Sequence, residues 1–272
     1  MAATITPSTV DRTIRVGETI TINKTITLDA RAVGVVDIFF LADNTGSMGG
    51  TITNVRNSAT ALMTSLSSTF TSAQFGAGRY FGDPVEPGVT YSTAYDRIQA
   101  ITSTIGNVQN AMNTQWIASG GGDGPEANFY ALHQAATSGA TGPGTPITAP
   151  TGPAKGPVAG SGEDTGWRAG ASKVIVWFGD ISSHNETITE PQTIAALIAS
   201  NVIVIGMNNG SNNSGIDGTY TSGNGTDSNQ CDDVATATGG TCFHNFSSVP
   251  SGKVATTIAD AIGTATTELD LD

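Results

Sequence analysis

Charge is scarce in this chain: Asp, Glu, Lys and Arg make up 12% of its 272 residues, with eleven basic side chains against 23 acidic ones. A net charge of −12 leaves no basic footprint for phosphates, which argues against nucleic acid and anionic membrane as partners. No apolar run approaches the ~18 residues of a membrane span, so no membrane insertion is expected. Only two cysteines are present, Cys231 and Cys242. They are too few for the usual structural zinc site and lack redox C-x-x-C spacing. The histidines His133, His184 and His244 form no H-E-x-x-H, and no G-x-x-x-x-G-K-[ST] loop occurs. The first buried run ends in an acid rather than in G-x-G-x-x-G, and an acid there would repel a pyrophosphate.

What the chain does have is Thr, Ser, Gly and Asn in abundance. That composition suggests a hydroxyl- and amide-rich surface, as in exported bacterial proteins of the cell surface or medium. Met1–Thr4 carries no signal-peptide hydrophobic region, so either a leader has been removed or the protein is cytosolic. Cys231 opens a short helical stretch, Gly239-Gly240 stops it, and Cys242 begins a strand. A disulfide clamping that helix to that strand suits an oxidising compartment, with two buried thiols as the alternative.

Residues 8–28 alternate, with Ile14, Val16, Ile20, Ile22, Ile26 and Leu28 on one parity and threonines on the other, around a possible turn at Gly17-Glu18. That periodicity predicts strands with one buried face. Thr267–Asp272 alternates too. Residues 1–30 are therefore read as a β extension, either pairing with 267–272 in a flanking β module or standing as a lone hairpin. From 31 to 266 apolar strands and amphipathic helices alternate, which predicts a doubly wound, mostly parallel α/β sheet. Ile52 to Phe70 recur at helical spacing, Phe75–Phe81 reads as a strand, and a helix is expected from near Pro125 to Ala136. Val174–Phe178 and Val202–Ile205 are short continuous runs, as in strands buried on both faces. Residues 139–170 and 208–230 read as loops. In the second, Asp217 and Asp227 could join a calcium site, although polar turn chemistry explains them as well.

Three loops carry the chemistry. The run Val35–Ala42 ends in Asp43-Asn44-Thr45-Gly46-Ser47, which delivers a carboxylate and two hydroxyls at i, i+2 and i+4. Ser119–Glu126 is Gly-rich and opens a helix whose positive end tolerates acids. Asp180 follows the strand Val174–Phe178. In an open parallel sheet ligands bind beyond the carboxyl ends of the strands. Convergence of the three loops would surround one point with oxygen ligands, the preference of hard divalent cations. Three carboxylates so close would repel unless a cation or retained protons neutralised them.

These segments resemble, in order, the metal-ion-dependent adhesion site of von Willebrand factor A domains. The first matches D-x-S-x-S with Thr45 in the middle, and the likeness runs over about residues 33–266. The acidic Pro125-Glu126 loop is closest in style to integrin β-subunits and bacterial secreted relatives. The resemblance implies that Thr45, Ser47 and Glu126 bind a divalent cation directly, with Mg²⁺ first and Ca²⁺ or Mn²⁺ as alternatives. Asp43 and Asp180 would act through water or as nearby charge. An open position on the ion would accept a carboxylate from a protein ligand, making the domain a non-enzymatic adhesion or assembly module. Gly49-Gly50 stand where integrin β-subunits carry acids for an adjacent regulatory ion. Asp123 would serve a further site, but Gly121 replaces one of its ligands, so one metal is expected rather than two.

Two alternatives remain. Asp43-Asn44-Thr45-Gly46-Ser47 also looks like the D-x-T-G-T of haloacid-dehalogenase phosphotransferases, with Asp43 as nucleophile. That reading leaves Ser119–Glu126 unexplained and lacks the required lysine, because Lys173 precedes its strand. A purely structural domain without ligand is the other.

Overall fold

The computed structural model describes residues 3–7, 9–28, 34–82, 93–120, 124–137 and 164–267. Near the start, β1 (Ala3–Thr6) and β2 (Thr25–Leu28) pair antiparallel, with Ala3 opposite Leu28. Between them residues 9–24 form no strand. Val10, Ile14, Val16, Ile20 and Ile22 stay exposed on this stretch. The alternation there supplies a potential apolar face, but a strand also needs a neighbour for its backbone groups. The expected pairing with the C-terminus falls on 268–272, outside the described residues.

The main body begins with β3 (Val35–Asp43), whose continuous apolar sequence is buried on both faces from Val36 onward. Even-numbered side chains Ile38, Phe40 and Ala42 join one core, and odd-numbered Phe39 and Leu41 join the other. A turn of 3-10 helix leads into α1 (Gly49–Thr69), which buries Ile52, Val55, Ala59, Leu62, Met63 and Leu66. This is the i, i+3, i+4 stripe of the sequence. Next come β4 (Ser72–Phe81) and β5 (Thr93–Thr102), then α2 (Ile105–Gln115) and α3 (Asn128–Thr137). The chain returns through β6 (Ser172–Gly179), α4 (Glu190–Ala199) and β7 (Val202–Asn208). A small hairpin, β8 (Tyr220–Ser222) with β9 (Gly225–Asp227), precedes α5 (Gln230–Ala237), β10 (Cys242–Phe243) and α6 (Val254–Thr267).

The main sheet runs in the order β10-β7-β6-β3-β4-β5, parallel except for edge strand β5. One core packs α1, α2 and α6 against the sheet, and the other packs α3, α4 and α5. Gly76 and Gly78 of β4 are required by close packing: a Cβ on either would lie 2.8 Å from the Phe39 ring. From β3 the chain steps outward to β4 and β5, then crosses back to β6 and β7. The β3–β6 boundary is therefore the topological switch point, where a crevice opens at the strands' carboxyl ends. Asp43 ends β3 and Asp180 follows β6.

Cys231 of α5 and Cys242 of β10 form a disulfide, Cα to Cα 5.7 Å. The helix–strand clamp expected from the sequence is present.

Candidate metal centre

The first loop is shaped by Asp43. Its Oδ1 accepts the Thr45 backbone N–H at 2.8 Å and the Thr45 hydroxyl at 2.7 Å. Thr45 is thereby fixed as a donor toward Asp43, leaving its lone pairs for the cavity. Its Oγ1 lies 3.2 Å from Ser47 Oγ. The neighbouring loop is strapped on through its backbone. Ser119 N–H donates to the Asn44 carbonyl at 3.0 Å, Gly46 N–H to Gly120 O at 3.2 Å, and Asn44 Nδ2 to Ile117 O at 2.8 Å.

Glu126 is held between two other segments. Its N–H donates to Ser182 O at 3.0 Å and its carbonyl accepts His184 N–H at 2.9 Å, a parallel bridge to Ser183. Its Oε2 accepts the Gly82 N–H at the end of β4. Asn128 Nδ2 donates to Ile181 O at 3.0 Å and Phe129 N–H to Ser183 Oγ at 2.9 Å, tying the start of α3 to the Asp180 loop. Thr45, Ser47, Glu126 and Asp180 thus line one cavity of about 430 Å³, together with Gly46, Gly120, Gly124 and Ile181. Asp43 connects to it through Thr45. Asp123 lies outside the described residues. His184 is half-buried beside Glu126, its ring edge-on to Tyr220.

The electrostatics are one-sided. Asp43 is wholly buried, and among the described residues no N–H or hydroxyl donates to its Oδ2; the acid it faces is Asp180. Burial raises its carboxyl to about 7 against the pull of the Thr45 backbone N–H, and the nearby Asp180 carboxylate adds to the rise. Tyr80 registers all three acids. Burial and then Asp43, Glu126 and Asp180 push its phenol upward. Its hydroxyl accepts Trp177 Nε1–H at 2.8 Å and donates to Phe178 O at 3.0 Å, so no proton is left for the carboxylates. Among the described residues, no basic side chain lines the cavity. An oxygen-only set of two hydroxyls and two carboxylates, backed by a buried acid short of one positive neighbour, fits a hard divalent cation.

Sequence reasoning missed Tyr80 and Asn44. The signal was available for Tyr80, since a buried tyrosine at a strand end must place its hydroxyl against a partner.

No protein-family model matches the chain, and no curated protein matches it. Solved structures do. Proximal thread matrix protein 1 (PTMP1) from the mussel byssus aligns in one crystal form with a TM-score of 0.53 at 14% identity, over 87% of this chain and 49% of that one. A second structure of it gives 0.52 at 15% identity over 88% and 49%. A third, described as having a zinc-occupied MIDAS motif, gives 0.53 at 14% over 87% and 49%. The chain spans about half the length of that protein. With the sheet order and the crevice at its switch point, these likenesses establish that the chain has the von Willebrand factor A fold.

Proposed function

We propose that this chain is a metal-ion-dependent protein-binding module of an exported protein, and that it uses the Thr45–Ser47–Glu126–Asp180 cavity. The observation that carries the reading is Asp43 Oδ2, buried with no N–H or hydroxyl donor among the described residues and set against the like charge of Asp180. Thr45 Oγ1, Ser47 Oγ and Glu126 would hold the ion, with Asp43 and Asp180 supplying charge or water contacts. Mg²⁺ is the favoured ion; the zinc in the MIDAS motif of PTMP1 makes Zn²⁺ a necessary comparison beside Ca²⁺ and Mn²⁺. Two neutral hydroxyl ligands would leave the bound ion electron-poor, ready to take a carboxylate of a protein partner.

The Cys231–Cys242 disulfide supports an oxidising, extracellular setting. Residues 1–30 are proposed as a β extension beside a domain of residues 31–266. The phosphotransferase alternative would need a lysine beside Asp43. Lys173 instead sits at the opposite end of β6 and donates to Ser200 O at 2.9 Å.

The test is calorimetric titration of metal-stripped protein with Mg²⁺, Mn²⁺, Zn²⁺ and Ca²⁺, followed by an acidic peptide library. Binding at the cavity that is lost in Asp43→Ala, with peptide capture only in the presence of metal, is the expected outcome. Folded wild type with no such metal binding would leave the structural-domain alternative.

A further inference from the structure

The disulfide has neighbours that a clamp between α5 and β10 does not need. Cys242 opens β10 and His244 follows that strand, so their i, i+2 spacing directs both side chains to one side of the extended chain. Cys231 and Asp232 sit in the first turn of α5, and the bridge holds that turn against β10. Ligand atoms of Asp232, Cys242 and His244 all lie within 4.8 Å of one another. His244 Nε2 is 3.3 Å from Asp232 Oδ1. The Asp232 backbone N–H donates to Asp217 Oδ1 at 3.0 Å, which fixes the turn.

Room and access are both present. A Cβ at Gly206 of β7 would lie 2.1 Å from Cys231 Sγ and 3.2 Å from Cys242 Sγ, so the bare glycine leaves the sulfurs their space. The cysteines are buried, whereas the side chains of His244 and Asp232 are 20% and 39% exposed and form the opening to solvent. Asn208 Nδ2 stands near three acceptors, Ser214 O at 2.8 Å, His244 Nδ1 at 3.1 Å and Ser211 O at 3.2 Å. Its two hydrogens can serve the carbonyls alone. Nδ1 is then free to carry the imidazole proton, and Nε2 is free to bind.

We infer that the reduced chain binds Zn²⁺ here, through Cys231 Sγ, Cys242 Sγ, His244 Nε2 and Asp232 Oδ1, and that disulfide and zinc site are alternative clamps between α5 and β10. Two cysteines are too few for a structural zinc site by themselves, and Asp232 and His244 supply the other ligands. Two thiolates, an imidazole and a carboxylate form a set that zinc takes tetrahedrally, with bonds of about 2.0–2.3 Å. Soft sulfur separates this set from the oxygen-only cavity, which suits a hard cation. The place of Cys231 at the start of a helix favours its thiolate. Opening the bridge takes two electrons and two protons from a dithiol, which closes to its own disulfide. Zinc then displaces the two thiol protons. In an oxidising compartment the bridge is closed and zinc is excluded, so the zinc clamp serves the chain before the bridge forms.

The experiment uses Asp43→Ala throughout, so that the first cavity makes no contribution. Protein reduced with a dithiol is freed of it under nitrogen, then titrated with Zn²⁺, and with Co²⁺ as an optical probe of thiolate ligation. One Zn²⁺ per reduced chain is expected, with a thiolate-to-cobalt absorption band, a raised melting temperature and no matching uptake by the oxidised protein. His244→Gln and Asp232→Asn should each weaken zinc binding by about a hundredfold or more, since even partners outside the ligand shell are worth about 10–100-fold. Both substitutions keep the disulfide, so their oxidised forms should melt like Asp43→Ala and serve as folding controls. A reduced protein that takes up no zinc, or gains no stability from it, overturns the inference. So does uptake that neither substitution weakens, or equal uptake by the oxidised chain. None of these results bears on the Thr45–Ser47–Glu126–Asp180 cavity.

Discussion

Strand β3 carries a fully buried aspartate near each end, and their surroundings are opposite. Asp37 meets Arg168: Nε lies 2.6 Å from Oδ1, and the Arg168 backbone N–H is 2.7 Å from Oδ2. The guanidinium also donates to Val36 O and Ser72 Oγ, which anchors the segment before β6 to the sheet. Asp43 has the same residue type, strand and sheet face. Among the described residues no N–H or hydroxyl donates to its second oxygen, and its charged neighbour is Asp180. A buried carboxylate is tolerated when a counter-charge accompanies it. The chain supplies that charge at Asp37, making a structural joint, and withholds it at Asp43, making a site that an ion from outside would complete.

The largest expected effect comes from breaking the completed end. Arg168→Met leaves Asp37 buried and unpaired, and urea denaturation should show a loss of about 3–5 kcal/mol. At the other end, Mg²⁺ at a hundredfold excess over its Kd should stabilise wild type by about 2.7 kcal/mol and leave Asp43→Asn unmoved. A stability difference that persists in the variant would place the ion elsewhere.

Two pH effects should be smaller and opposite in sign. The Asp43 carboxyl is raised from 3.8 to about 7 in the fold. Its contribution is therefore full below the unfolded value and lost as pH rises through about 7, so metal-free Asp43→Asn should outlast wild type at alkaline pH. His133 is nearly fully buried, and burial lowers its imidazole from 6.5 to about 4. Its contribution is full above 6.5 and lost as pH falls toward 4, so His133→Gln should flatten the acid limb of a plot of melting temperature against pH.

The smallest effect calibrates the comparison. The Arg79–Asp96 pair at 2.8 Å has side chains 26% and 28% exposed, and Asp96→Asn should cost less than about 1 kcal/mol in the same urea assay.

Much of this contrast was legible in the sequence. The Val35–Asp43 run, buried on both faces, announced a central parallel strand, and the oxygen-rich turn after it announced the site. The other two loops carried Glu126 and Asp180, which the fold brings to the same cavity. What escaped was non-local. Asp37 is an acid inside an apolar run, but nothing in its neighbourhood points to Arg168, which reaches it only through tertiary packing. Edge strand β5 escaped because its solvated, irregular register with β4 breaks the period-two pattern. Residues 9–24 erred the other way, since alternation describes faces without supplying a pairing partner. For α4, the Thr189–Gln192 capping box was visible and went unused.

The most direct test of the central contrast is a crystal grown with Mn²⁺, measured for anomalous scattering. The expected result is a peak in the cavity bounded by Thr45, Ser47, Glu126 and Asp180, with none beside Asp37. A well-ordered crystal with saturating Mn²⁺ and no peak in that cavity would contradict the account. Asp43 would then be a buried acid that keeps its proton rather than the base of an ion site.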